Sequence, residues 1–211
     1  TVELMVGLPG STLASFKDDL QWSIDQQVIV MRYSAFLLPN SPMNAPEYKQ
    51  RWAVEADNGV IAATSTYTRE ERREMDRISY AYQCMEALGI LRHVLRYLQW
   101  DHGFRAIDVI HGLERIANGQ PGEAPLLHWL LNTADQFLVP PVGWAPLYDE
   151  IHRLLVTRLG VPDGAGLRTA FAVNQFLMPV RGRSYPGTLE LEHDYVSYYR
   201  SALVGLYATG Q

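Results

Sequence analysis

Val2-Glu3-Leu4-Met5-Val6-Gly7-Leu8-Pro9-Gly10-Ser11-Thr12 is the stretch on which the reading of the chain turns. Its first five residues make a short apolar run stopped by Gly7, as a buried parallel strand requires. The next six are turn chemistry, with Ser11 or Thr12 placed to cap the unpaired amides of a following helix. Phe16, Leu20 and Ile24 then recur every four residues, flanked by Leu13 and Trp22, which predicts an amphipathic helix over 13–26. Val28-Ile29-Val30-Met31-Arg32-Tyr33 is a second β-branched run. Strand, helix and strand in this order predict a parallel βαβ unit with a right-handed crossover.

Beyond that unit the pattern changes. Leu38-Pro39-Asn40-Ser41-Pro42-Met43 carries two prolines and is expected to be a rigid, non-helical loop. Residues 59–66 read as one more strand or extended segment. Thr68 with Glu71 forms a capping box, and Met75, Ile78, Tyr82 and Met85 then fall at helical spacing. Glycines and prolines from Gly89 to Gly166 divide the remainder into about five further helices. The expected organisation is an α/β region over 1–66 followed by a helical region over 67–211.

Composition narrows the function. Of 211 residues, 47% are hydrophobic and 19% charged, as in a folded chain rather than a disordered one. Asp plus Glu number 23 against 18 Lys plus Arg, a net charge of −5, which argues against a nucleic-acid partner. There is no apolar run of about eighteen residues and no signal-peptide plan, so no membrane partner is expected and the reading is cytoplasmic. The single cysteine, Cys84, can form neither an internal disulfide nor, by itself, the anchor of an iron–sulfur cluster. The run Val2–Val6 has too few strand neighbours to make a parallel sheet alone, so we expect either further strands in an N-terminal portion, the reading preferred, or dimerisation through this edge.

Known catalytic signatures are mostly missing. The Gly7–Thr12 loop lacks the lysine of a P-loop and the third glycine of a dinucleotide fingerprint. His93, His102 and His111 are nine residues apart, so a continuous helix would turn each roughly 180° from the last. No G-x-S-x-G elbow is present. Glu190-Leu191-Glu192-His193-Asp194-Tyr195 reads first as acidic capping of a helix, and alternatively as a His193–Asp194 pair facing a substrate. Arg181 and Arg183, just before it, read as solvated loop cations or as anion binders. Tyr67, Trp100, Trp144, Tyr198 and Tyr199 read as packing aromatics.

Glu3-Leu4-Met5-Val6-Gly7-Leu8-Pro9-Gly10-Ser11-Thr12, together with a strand that ends in Leu38-Pro39-Asn40-Ser41-Pro42, resembles the latter half of the catalytic barrel of radical S-adenosylmethionine (SAM) enzymes, in particular their cobalamin-binding branch. The likeness covers residues 1–45 and extends loosely through Thr64-Ser65-Thr66-Tyr67-Thr68 to His193-Asp194-Tyr195. It implies the C-terminal half of a partial (β/α) barrel of TIM type, followed by a mainly α-helical C-terminal extension. It implies SAM, a 4Fe-4S cluster and cobalamin as cofactors, and an oxidoreductase or methyltransferase acting through a 5′-deoxyadenosyl radical. By this resemblance Glu3 would accept a hydrogen bond from the ribose of SAM. Gly7 and Leu8 would offer backbone to the adenine, and Leu37 and Leu38 would bound it. Tyr67, Arg181, His193 and Asp194 would line the substrate side, for a small-molecule or peptide substrate. The family's C-x-x-x-C-x-x-C motif is absent, so the chain is expected to be a C-terminal fragment, inactive alone, whose partner is the N-terminal remainder of its own protein. The alternatives are a non-enzymatic helical interaction module with a small α/β cap, and a mononucleotide-binding domain built on the Gly7 turn.

Overall fold

The computed structural model describes residues 1–133, 139–180, 182–184 and 186–209, the last four of these by backbone alone. The chain is mixed α/β and mostly helical, and it divides into two compact units, Thr1–Tyr80 and Ala81–Gln211.

In the first unit, β1 (Val2–Val6), α1 (Leu13–Asp25) and β2 (Val30–Ser34) form the expected strand, helix and strand. β1 and β2 pair in parallel, from Val2 with Val30 to Val6 with Ser34. Thr12 starts α1 through a reciprocal cap: Ser15 N donates to Thr12 Oγ1 at 3.0 Å, and Thr12 N donates to Ser15 Oγ at 2.9 Å. Phe16, Leu20 and Ile24 are buried, as the four-residue recurrence requires.

The register sorts the two faces of this strand pair. Val6 and Val30 lie on one face and are buried. On the same face Arg32 lies over the Tyr80 ring, 5.7 Å from its centroid, and Ser34 Oγ accepts from Arg72 Nη2 at 3.2 Å. Glu3 pairs with Met31 and Met5 with Tyr33 on the opposite face. Met31 is 49% exposed and Tyr33 46%, while Met5 is half-buried, so that face is open mainly along β2, where Arg32 and Ser34 of the other face are exposed too.

The proline-rich segment departs from expectation. It enters a 3-10 turn at Pro42–Asn44 and then a helix, α2 (Pro46–Trp52). Each begins on a proline, where the missing N–H costs nothing because the first helical amides have no partner anyway. A hairpin of β3 (Glu55–Asp57) and β4 (Val60–Ala63) follows, where one extended segment was expected. Its turn residues Asn58 and Gly59 both take positive φ, 49° and 86°, which matches the twist of the strands they join. α3 (Arg69–Tyr82) starts on the capping box read from the sequence, Thr68 N donating to Glu71 Oε2 at 2.7 Å and Glu71 N to Thr68 Oγ1 at 3.2 Å. Among the described residues the strands form two two-stranded sheets.

In the second unit, a π-helical turn (Gln83–Ala87) precedes α4 (Arg92–His102), α5 (Ala106–Gly119), α6 (Pro125–Thr133), α7 (Trp144–Leu159), α8 (Ala165–Leu177) and α9 (Tyr195–Thr209). Six helices thus stand among the described residues where punctuation led to about five. Leu95, Leu98, Leu113, Leu127, Ile151 and Leu167 are fully buried in its core. Asn174 of α8 ties the start of α4: Val94 N donates to its Oδ1 at 3.0 Å, and its Nδ2 donates to Gly89 O at 2.6 Å. One of the orphan amides at that helix start is thereby satisfied by a side chain from another helix. A buried ion pair lies in the same core, with Arg96 Nη2 at 2.5 Å from Glu86 Oε1 and Nη1 at 3.2 Å from Oε2.

Candidate functional site

The residues drawn from the resemblance fall into two groups in the first unit. Ala35 N donates to Val6 O at 2.9 Å, so β1 and β2 end side by side. Gly7 and Leu8 leave that end from β1, and Leu37 and Leu38 leave it from the β2 side. Leu8 and Leu37 are half-buried and Leu38 is exposed, while Leu37 N donates to Gly59 O at 2.7 Å. Glu3 stands elsewhere, about 13 Å back along the strand from Gly7. It is exposed on the open face beside Met5, Met31 and Tyr33.

Gly7 is buried with φ +85°. Its carbonyl accepts from Tyr67 Oη at 2.5 Å. Burial pushes the Tyr67 phenol up to about 12, so it stays protonated and keeps donating. Tyr67 therefore serves the glycine turn, and its buried hydroxyl is committed to Gly7.

A cavity of about 220 Å³ lies nearby, lined by Ser34, Asp57, Ile61, Arg69, Arg72 and Asp76 among others. Its charges are matched. Arg72 pairs with Asp76, and Arg69 pairs with Glu55 at 2.8 Å and with Asp57 at 2.5 Å. The Arg69 hydrogen bond holds the Asp57 carboxyl below its ordinary range.

In the second unit His193 and Asp194 both line a cavity of about 270 Å³, together with Tyr97, Asp101, Tyr195 and Tyr198. Asp194 Oδ1 accepts from Ser197 N at 3.0 Å and so caps α9, which lowers the Asp194 carboxyl below its usual range. His193 Nδ1 is 3.3 Å from Thr169 Oγ1. Tyr198 Oη donates to Asp101 Oδ1 at 2.8 Å. Behind the lining, His93 Nδ1 lies 3.1 Å from Tyr195 Oη. Burial first, and then the Arg92 and Arg96 charges, push the imidazole of His93 down to about 4, so it is neutral at pH 7. Burial raises the Tyr195 and Tyr198 phenols well above their ordinary value, which keeps both uncharged.

His193 and Asp194, read from the sequence as helix capping or as a pair facing a substrate, line this cavity together with Tyr198, read as a packing aromatic, and with Tyr97 and Tyr195, to which no role was given. A signal was present: Tyr97 with Asp101, and Tyr195 with Tyr198, are spaced to share helix faces. Arg181 lies outside the described residues. Its neighbour Arg183 donates to Phe176 O and lies 5.1 Å from the centroid of the Phe176 ring.

Cys84 is buried in the π-helical turn. Among the described residues no group of three or more His, Cys, Asp or Glu side chains could hold a metal ion, and no helix is long and apolar enough to cross a membrane. No protein-family model matches the chain, and no curated protein matches it.

Proposed function

We propose that the chain is the C-terminal part of a radical SAM enzyme, with β1, α1 and β2 forming part of its barrel wall. The observation that carries this reading is the open face of a parallel strand pair. Parallel sheets are covered on both faces, because their strands are too apolar to meet water. Here Met31 and Tyr33 are exposed and Met5 is half-buried on one face, with Glu3 as its charged member. The inward face of a barrel wall has this character when the remaining strands come from elsewhere in the protein. The outer edge of β1 fits the same account. Val2 N donates to Ile29 O and Val6 O accepts from Ala35 N, so the peptide groups of Glu3 and Met5 turn to the other edge. Among the described residues no strand pairs there.

The residues present fit the adenosine part of SAM. Apolar side chains would pack on the base, and the Glu3 carboxylate would accept from ribose hydroxyls. Bound SAM would supply a 5′-deoxyadenosyl radical on reduction. The task of this chain is to bind and orient: Met5, Met31 and Tyr33 exclude water, and Leu8, Leu37 and Leu38 bound the strand ends. The residues present do not fit the 4Fe-4S cluster, since Cys84 is one thiol buried in the second unit. Its ligands belong to a preceding segment in this account, and no residue here is assigned to cobalamin.

The coding sequence upstream of Thr1 tests this directly. Three in-frame cysteines spaced C-x-x-x-C-x-x-C are expected. An in-frame start with no such cysteines ahead of Thr1 would overturn the proposal.

A further inference from the structure

We infer that the cavity between α4, α8 and the start of α9 is an aromatic cage for a methylated ammonium group. Tyr97, Tyr195 and Tyr198 line it, and Tyr195 and Tyr198 stand 5.6 Å apart between ring centroids. Trp100 backs Tyr198 at 6.1 Å. The rings are held from behind. Tyr97 Oη is 3.0 Å from His102 Nε2, and a Cβ on Gly166 would stand 2.7 Å from Tyr97 Oη, so the absence of a side chain at 166 makes room for that ring.

Charge and hydrogen-bonding capacity choose the occupant. Asp101 and Asp194 are the charged residues of the lining, and no lysine or arginine is among them. The faces of aromatic rings carry negative potential and attract a cation laid against them. Each carboxylate already gives an oxygen to the protein, Asp101 to Tyr198 and Asp194 to the amide of Ser197. Each keeps its second oxygen, and the rest of the lining surface is mostly apolar, so the cavity offers negative potential over a largely hydrophobic wall. A primary ammonium brings three N–H groups that all need acceptors, whereas a quaternary ammonium brings none. At about 270 Å³ the cavity exceeds the ~150 Å³ that suffices for benzene, which leaves room for a trimethylammonium head and the start of a chain. In the enzyme proposed above, such a group would mark the substrate; the binding itself does not depend on radical chemistry.

Calorimetry of the 211-residue chain with choline, and with the neutral analogue in which tert-butyl replaces trimethylammonium, tests the cage. Saturable choline binding is expected, with the neutral analogue about tenfold weaker. Tyr198→Phe, which keeps the ring, should bind choline within about threefold of the parent, while Tyr198→Leu and Asp101→Asn should each lose about fivefold or more. Circular dichroism of each variant separates loss of the cage from loss of fold. Equal binding of the two probes, absence of saturable choline binding by the folded parent chain, or a folded Tyr198→Leu that binds as the parent does would overturn the inference. None of these outcomes bears on whether cysteines precede Thr1.

Discussion

A Cβ added to Gly7 would stand 2.5 Å from Nε of Arg72, a residue only 4% exposed and tied through Nη2 to Ser34. The end of β1 and the first turns of α3 therefore share one close contact, and the glycine makes it possible. Gly7→Ala should cost about 2–4 kcal/mol, combining left-handed strain with displacement of a buried guanidinium. In an Arg72→Ala background the same change should cost mainly the strain, leaving a coupling of about 1 kcal/mol or more. Urea titration of the four proteins of the cycle measures it, and additive effects would show that the two residues do not meet.

Tyr67 supports the same turn, its Oη 3.2 Å from where a Cβ on Gly7 would stand. Tyr67→Phe leaves the Gly7 carbonyl without its side-chain donor in a buried position, at a cost of about 1–3 kcal/mol. The loss should appear in urea titration with the far-UV spectrum unchanged. A variant as stable as the parent would mean that water replaces the hydroxyl.

The Glu86–Arg96 pair should behave as buried ion pairs do. Glu86→Leu strands the Arg96 guanidinium, 1% exposed, and should destabilise by about 3–5 kcal/mol. Glu86→Leu with Arg96→Met removes both charges and should recover most of that loss. Thermal unfolding of the single and double variants makes the comparison.

His93 gives a pH signature with a defined sign. Its pKa falls from 6.5 to about 4 on folding, so below 6.5 the unfolded chain binds the proton that the folded chain refuses. The stabilisation is complete above pH 6.5 and is lost progressively as pH falls toward 4, by up to about 3 kcal/mol. Carboxylates titrate in part of this window, so the quantity to follow is the difference between the parent and His93→Gln in urea titrations from pH 7 to pH 4. That difference should shrink as pH falls. A constant difference would place the imidazole in water.

Elements with a strong apolar period are legible in the sequence. β1, α1, β2 and the α3 stripe of Met75, Ile78 and Tyr82 lie where their patterns put them, since burial of one face is what creates the pattern. The turn at Pro42 and the helix α2 were not, because Pro39 and Pro42 read as the mark of a non-helical loop, whereas Pro42 and Pro46 stand at first helical positions, where proline is tolerated. β3 was not, because Glu55, Ala56 and Asp57 are all exposed and carry no alternation, although Asn58-Gly59 is itself a hairpin signal. At the site, Gly7 was recognisable as a position of close approach. What approaches it in the structure is Arg72 and Tyr67, residues distant in sequence that local reading had no means to pair with it. His193 and Asp194 share a cavity whose aromatic lining comes partly from α4, some ninety residues earlier, and only the packing of α4 on α8 and α9 brings it there.

Whether this chain helps to hold SAM is decided by reductive cleavage of SAM in the whole protein, purified and reconstituted anaerobically with iron and sulfide. With dithionite as reductant, 5′-deoxyadenosine is expected, and Glu3→Gln should raise the SAM concentration needed for half-maximal formation without abolishing it. A protein loaded with its cluster that releases no 5′-deoxyadenosine would contradict the account.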